Sequence, residues 1–230
     1  VSSGAGSTWS ANAERYDTWF DQPWGRYASR VEREAILAAA GTLAGADVAD
    51  IGCGTGRLTQ HLEQLAANVV GLDPDPAMLS VASRRTKAPL IVGDGHSLPF
   101  GDASVDVAIA VTVCEFTVDP ALVVSELARI TRPGGRVIVG ALNRHSPWGL
   151  ANRNQFDHPP WAGARFLAAA DLRRLGERHG TATIRPALYP PTALPLLERW
   201  GPVAEHVGRV VARRWGAFNV MTVILPKLRS

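Results

Sequence analysis

The sequence predicts an open, mostly parallel α/β sheet, and three observations carry that expectation. Short apolar runs alternate with helix-like segments from Asp47 to Leu142. The run Val105–Val113 is almost wholly apolar, as expected of a strand buried on both faces. An apolar run ending in Asp50 leads into glycines at alternate positions, Gly52, Gly54 and Gly56, and then a helix-like Arg57–Leu65. That strand, tight turn and helix start is the layout that lets a nucleotide-like ligand lie against bare backbone.

Taken in order, the first eight residues, Val1–Thr8, are small and polar and are expected to be disordered or tag-like. They lack an initiator methionine and the basic and apolar regions of a signal peptide. Residues 9–41 read as a helical cap: Tyr16, Trp19 and Phe20 precede a Pro23-Trp24-Gly25 break, and Arg30–Ala40 spaces Val31, Ala35, Ile36 and Ala39 as one face. Aromatics in such a segment serve either to cover a core or to close a pocket.

Residues 42–230 then form the main domain. Val48–Ile51 is a strand, Leu58–Ala67 a helix, and Asn68–Leu72 a strand ending in Asp73-Pro74. Asp75–Arg85 is a helix with Pro76 in its first turn and Met78, Leu79 and Ala82 on one face. Pro89–Val92 is a short strand before Asp94-Gly95, and Pro120–Thr131 a helix stopped by the turn Arg132-Pro133-Gly134-Gly135. Arg136–Leu142 is a further buried strand. Strands alternating with helices imply right-handed parallel crossovers. About 143–164 lies an irregular, aromatic and proline-rich insertion, expected on the substrate side. Ala168–His179 reads as a helix, Thr181–Pro186 and Phe218–Leu225 as strands, and Leu194–Trp215 as a helix packed on the sheet, although its arginines would also suit a membrane surface.

Composition narrows the classes. The 230 residues are 46% hydrophobic and 20% charged, ordinary for a globular protein of one large domain. Net charge is +3, mostly from scattered arginines with no aromatic-interleaved basic stripe, so no nucleic-acid partner is expected. Cys53 and Cys114 lack CxxC spacing, which argues against zinc and suits a reducing cytoplasm. No apolar run approaches the roughly 18 residues of a membrane span, and no metal site is expected.

In a parallel sheet, ligands bind outside the carboxyl ends of the strands. The glycine turn, Asp73, Asp94-Gly95 and Thr112–Phe116 all fall there. Asp73 can accept hydrogen bonds from both hydroxyls of a ribose, and Asp94 from an adenine amino group. Each could instead cap the turn that follows it.

The runs ADIGCGTGRLTQHL, GLDPDPAML, VGDGHSLPFGDASVDVAIA and ELARITRPGGRVIVG together resemble the class I S-adenosylmethionine-dependent methyltransferases, in particular their type-11, small-molecule branch. The resemblance covers Val48–Gly140 closely. It implies a Rossmann-like seven-stranded, mostly parallel sheet with its last strand antiparallel and helices on both faces. It implies S-adenosylmethionine as cofactor and S-adenosylhomocysteine as product. Asp50, Gly52, Cys53, Gly54 and Gly56 would hold its methionine part, and Asp73 the ribose. Pro74 and Met78 would pack near the adenosine; Asp94, Gly95 and His96 would face the adenine; and the backbone of Val111–Val113, with Thr112, would meet the ammonium.

Rival motifs fit less well. A nicotinamide site prefers G-x-G-x-x-G, no Gly-Lys-Ser/Thr follows the turn, and no G-x-S-x-G elbow occurs. The chain reads Thr112-Val113-Cys114-Glu115 where an Asn-Pro-Pro-Tyr signature would mark methylation of planar amino groups. A non-catalytic cofactor-binding protein and a protein or RNA methyltransferase remain as alternatives. Methyl transfer needs alignment, water exclusion and, for a protonated nucleophile, a base. The candidate bases are His145, Tyr16 and Glu115, with His96 and His158 as weaker ones. Tyr16, Trp19, Phe116, Asn143, His145 and Trp148 are the candidates to bind a small-molecule acceptor, with Phe156 and Trp161 flanking them; a monomer or homodimer is expected.

Overall fold

The computed structural model describes residues 13–151, 163–190 and 197–227. His158, Phe156, Trp161, the first eight residues and the start of the 194–215 segment lie outside them.

Seven strands form one sheet: β1 (Asp47–Ile51), β2 (Asn68–Asp73), β3 (Leu90–Val92), β4 (Val105–Val111), β5 (Thr131–Leu142), β6 (Thr181–Ala187) and β7 (Phe218–Ile224). Their order is β3-β2-β1-β4-β5-β7-β6. β7 runs antiparallel to both β5 and β6, while the β1, β2, β3, β4 and β5 pairings are parallel. The strand order reverses between β1 and β4, so the loops leaving these two strands flank a crevice.

The helices are α1 (Ala13–Trp19), α2 (Pro23–Ala40), α3 (Arg57–Leu62), α4 (Pro76–Ala82), α5 (Pro120–Ile130), α6 (Pro147–Ala151), α7 (Ala169–Glu177) and α8 (Leu197–Val211). Alternation along the strands divides the interior into two cores. Val48, Val107, Ile109, Ile138 and Phe218 pack with Tyr27, Val31 and Ile36 of α2 and Leu62 of α3 on one face. Ala49, Ile51, Ala108, Ala110, Val137 and Val139 pack with Val123, Val124 and Leu127 of α5 and Leu172 of α7 on the other. Burying a Leu, Ile or Val side chain stabilises by roughly 1.5–3 kcal/mol, so these two layers fix the sheet.

Several boundaries differ from the sequence expectation. The expected break falls at residues 20–22, between α1 and α2, and Pro23-Trp24-Gly25 lies inside α2: Pro23 occupies its first turn, where its missing N–H costs nothing. Arg132-Pro133-Gly134-Gly135 is not a free turn. It lies within β5 as a bulge, the pairing jumping from Val105–Thr131 to Val107–Arg136, with Gly134 at φ +80°. The extra residues bend the strand and leave the ladder intact on either side. The helix after the glycine turn ends at Leu62, not Ala67. α8 docks on α2, on the edge strand β6 and on the segment after it. A Cβ on Gly201 would lie 2.4 Å from the Tyr27 ring, and one on Gly208 2.3 Å from that of Tyr189. Glu205, buried on α8, accepts from the backbone N–H groups of Leu188 (3.0 Å) and Tyr189 (2.9 Å).

Candidate active site

The glycine loop between β1 and α3 is built by backbone conformation. Gly52, Gly54 and Gly56 have φ of +71°, +54° and +76°, the left-handed region open to glycine without a Cβ penalty. Two of the three are also packed shut, since a Cβ on Gly52 would lie 2.3 Å from Val113 Cγ2 and one on Gly56 2.9 Å from Ala82 Cβ. Gly54 differs, because a Cβ there would meet nothing within 4 Å. The loop therefore presents bare backbone to open space at its middle glycine. Gly52 and Cys53 donate to the Leu72 carbonyl at 2.7 and 3.0 Å, tying the loop to β2.

Asp73 ends β2 directly beneath this loop. Its carboxylate accepts from the Gly54 N–H (2.9 Å) and the Asp75 N–H (2.9 Å). Burial pushes its pKa up, with those two N–H groups partly offsetting it. Each carboxylate oxygen keeps a further lone pair. Asp50 is buried at the end of β1 and accepts from Thr59 Oγ1 at 2.7 Å; burial pushes it up to about 6, partly opposed by the Thr59 bond. Across the crevice, Thr112 follows β4 at φ +52°. For a β-branched residue that conformation is strained, at a cost of roughly 1–3 kcal/mol. The Thr112 N–H donates to Gly140 O at 2.8 Å, which holds the strained residue in place. Such strain is concentrated at ligand sites.

The glycine loop, Asp50 and Thr112, but not the buried Asp73, line a cavity of about 640 Å³ that continues under α1 and α2. Its wall includes Asp50, Gly52, Cys53, Gly54, Val111 and Thr112 from the strand ends, and Tyr16, Trp19 and Phe116 among the predicted aromatics. Burial, helped by the charges of Glu32, Asp73 and Asp17, pushes the Tyr16 phenol far up, so it stays protonated. The Cys53 thiol is likewise pushed up by burial, which removes it as a nucleophile.

Other predicted residues stand elsewhere. Met78 packs with Ala13, Val81 and Tyr16 in a small apolar cluster, and Pro74 is exposed. Gly56 is shut against α4. Asp94, Gly95 and His96 lie beyond the cavity wall after β3. Asp94 Oδ1 accepts from His96 N–H at 2.9 Å and pairs with His96 Nδ1 at 2.7 Å, while His96 Nε2 meets Thr117 Oγ1.

The insertion supplies none of the described wall, for identifiable reasons. Asn143 is a buried bracket: its amide donates to the carbonyls of Arg214 (3.1 Å) and Gly216 (2.9 Å), and its Oδ1 accepts from His145 N–H (3.0 Å). His145 is exposed. Trp148 stacks on Phe166, centroids 5.7 Å apart, against the core. Glu115 is fully buried behind the wall, with Oε1 accepting from the Leu142 N–H at 2.6 Å. The residues placed by sequence as acceptor contacts here thus brace the end of β5 and the chain that enters β7.

Sequence reasoning missed the α2 wall. Ser29, Glu32, Arg33 and Ile36 line the cavity; their spacing of three, one and three marks one helical stripe. That stripe was legible as a second, mixed face beside the apolar one. It also missed the clasp on α1. Asp17 accepts from Thr55 Oγ1 (2.7 Å), Arg57 Nε (2.8 Å) and Arg85 Nη2 (2.8 Å), and Arg57 lies 5.0 Å from the Phe20 ring centroid.

A doubly wound sheet with a glycine loop at its switch point, an acid ending β2 and a cavity beside them form an α/β fold of the kind that binds nucleotide-like ligands at its strand ends. The Methyltransferase domain family matches residues 49–139. An uncharacterised protein of Mycobacterium tuberculosis is 33% identical over 211 residues, covering 89% of this chain and 70% of that protein. A Mycolicibacterium smegmatis protein described as a probable S-adenosylmethionine-dependent methyltransferase is 38% identical over 140 residues, covering 60% of this chain and 52% of that one. A Thermotoga maritima crystal structure superposes with a TM-score of 0.77 at 23% identity, covering 95% of this chain and 99% of that one. It is described as a methyltransferase dependent on the same donor and a possible histamine N-methyltransferase. The chain belongs to the class I S-adenosylmethionine-dependent methyltransferases, in their type-11 branch, and it is an enzyme of that class.

The residues present fit this cofactor: Gly54 leaves room where a side chain would fill the cradle, and Asp73 is fixed beneath it. Among the described residues no helix is long and apolar enough to cross a membrane, and no group of three or more His, Cys, Asp or Glu could hold a metal ion.

Proposed function

We propose that the enzyme transfers its methyl group to a small-molecule acceptor. One observation carries this reading. The cavity runs on from the glycine loop beneath α1 and α2, walled by Tyr16, Trp19, Phe20 and Phe116. A roofed, aromatic chamber of this size suits a compact ligand, whereas a polypeptide or a nucleic acid needs an open groove.

S-adenosylmethionine supplies a methyl group already activated on sulfur. In our assignment Asp50 and the backbone of Gly52–Gly54 and Val111–Thr112 hold its methionine end, Asp73 the ribose, and Asp94–His96 border the adenine. The roof residues of α1 and α2 then orient the acceptor and exclude water, the two tasks that in-line displacement requires. Residues 9–41 act as the cap and residues 42–230 as the catalytic domain, with about 143–164 as an insertion. Two free, buried cysteines support a cytoplasmic setting.

The test is calorimetric titration with S-adenosylhomocysteine, followed by labelled methyl transfer into a cell extract divided by size. Binding by wild type, loss of binding in a folded Asp73→Ala variant, and label in the low-mass fraction are expected. Label confined to protein or RNA would refute the small-molecule reading.

A further inference from the structure

Glu32 has no assigned role in holding the donor, yet it lies on the cavity wall. No group among the described residues hydrogen-bonds its carboxyl. Burial, with the neighbouring Glu115 adding to it, pushes it up to about 8. Glu115 is itself pushed by burial up to about 7, and its Oε2 is buried without a partner among the described residues. Two acids therefore stand close together on and behind one wall. Three arginines share this wall: Arg57 is committed to Asp17 and Asp21, and among the described residues neither Arg15 nor Arg33 forms an ion pair with Glu32 or Glu115. Removing carboxylates from water without pairing them is costly, and the deficit is relieved by a cation with N–H donors.

Resting on the small-molecule reading above, we propose that the acceptor is an organic amine, bound as its ammonium form by the Glu32 carboxylate among the rings of Tyr16, Trp19 and Phe116. Aromatic rings add to the attraction for a desolvated cation. An anionic acceptor would meet repulsion from both acids, and a neutral alcohol would leave the Glu32–Glu115 deficit in place.

The same carboxylate serves as base. The ammonium gives one proton to Glu32, which frees the nitrogen lone pair. That lone pair forms the new N–C bond as the C–S bond breaks, its electron pair remaining on sulfur. Glu32 then releases the proton to solvent at the cavity mouth. A primary amine leaves as a secondary ammonium, and the balance needs no further reactant.

The test uses the full chain, labelled S-adenosylmethionine and a panel of aryl-alkyl amines, each with its alcohol and carboxylic acid of matched skeleton. Methylation of amines alone is expected. Glu32→Gln should lower kcat/KM for the amine by about 100-fold or more, within the usual range for a proton-transfer group. It should leave S-adenosylhomocysteine affinity within about threefold, and Glu32→Asp should recover part of the rate.

Three results would overturn the proposal while leaving the small-molecule reading intact: transfer to the alcohols or acids but not the amines; an unchanged rate in Glu32→Gln; or equal losses of S-adenosylhomocysteine affinity and rate, which would assign Glu32 to the donor. Label found only in macromolecules would instead overturn the reading on which this one rests.

Discussion

Asp17→Asn tests whether α1 is held as a roof over the glycine loop by a charge clasp. The side chain of Asp17 is 15% exposed and accepts three hydrogen bonds, from Thr55, Arg57 and Arg85. Arg85 also donates to the Thr55 carbonyl, so the clasp grips the loop at two points. Burial pushes the Asp17 carboxyl up, but the bonds from Arg57, Arg85 and Thr55 outweigh it and hold it at about 2.

An exposed ion pair contributes up to about 1 kcal/mol, and breaking a fully buried one costs about 3–5 kcal/mol. This site lies between those limits, so removing the charge should cost about 2–4 kcal/mol of docking. At about 1.4 kcal/mol per factor of ten, the closed position of α1 becomes roughly 30- to 1000-fold less favoured. Calorimetry with S-adenosylhomocysteine should show affinity reduced at least tenfold, and limited proteolysis should cut faster at Arg15 and Arg26. Twofold or smaller changes in both would refute the clasp. The pH sign is fixed by the lowered pKa. The contribution is complete above the unfolded value near 3.8 and is lost as pH falls through about 2.

Three further outcomes follow from the geometry. Glu32, Glu115 and Asp50 all have folded pKa values raised by burial, to about 8, 7 and 6. Their stabilising contribution is greatest below the unfolded range near 4 and is lost as pH rises through those values. Urea denaturation of the ligand-free protein should therefore give a falling midpoint between pH 5 and 8, shallower in Glu32→Gln; a rising profile contradicts it. Tyr16 on α1, Arg33 on α2, and Asp50 and Arg57 flanking the glycine loop share this wall and should be held constant. Gly56→Ala should destabilise by about 1–3 kcal/mol, because φ is +76° and the new Cβ would meet Ala82 at 2.9 Å. Gly54→Ala, facing open space, should cost stability less than Gly56→Ala and cofactor affinity more, as read by thermal denaturation and calorimetry together. Glu205 accepts from two backbone N–H groups, those of Leu188 and Tyr189, which Glu205→Ala would strand. That variant should lose about 2–3 kcal/mol in chemical denaturation, and a loss below about 0.5 kcal/mol would show that water replaces the carboxylate.

How far the sequence could be read depended on how local each signal was. The glycine turn, Asp50 and Asp73 are legible because a tight turn and the acid ending a neighbouring strand are specified within a few residues. The apolar run of β4 states its burial directly. Pro23 misleads because a proline is compatible both with a break between helices and with the first turn of a helix, and nothing nearby places the start of α2 at Pro23 rather than at Arg30. The Arg132–Gly135 bulge misleads because its pairing is with β4 and its Gly134 N–H goes to Pro226, far along the chain.

The sequence by itself determined the alternation that builds a parallel sheet and the glycine loop at its switch point. Those depend on periodicity, turn chemistry and the absence of a Cβ, all properties of adjacent residues. Only the tertiary structure decided which side chains line the cavity. It turned Asn143 and Trp148 into supports around the end of β5, left His145 outside, and put Glu115 behind the wall. It brought Glu32 from α2 into the cavity with no partner for its carboxylate among the described residues. Burial and charge compensation are sums over every element that surrounds a group, and α1, α2 and the loop after β4 meet around this one only once the chain has folded.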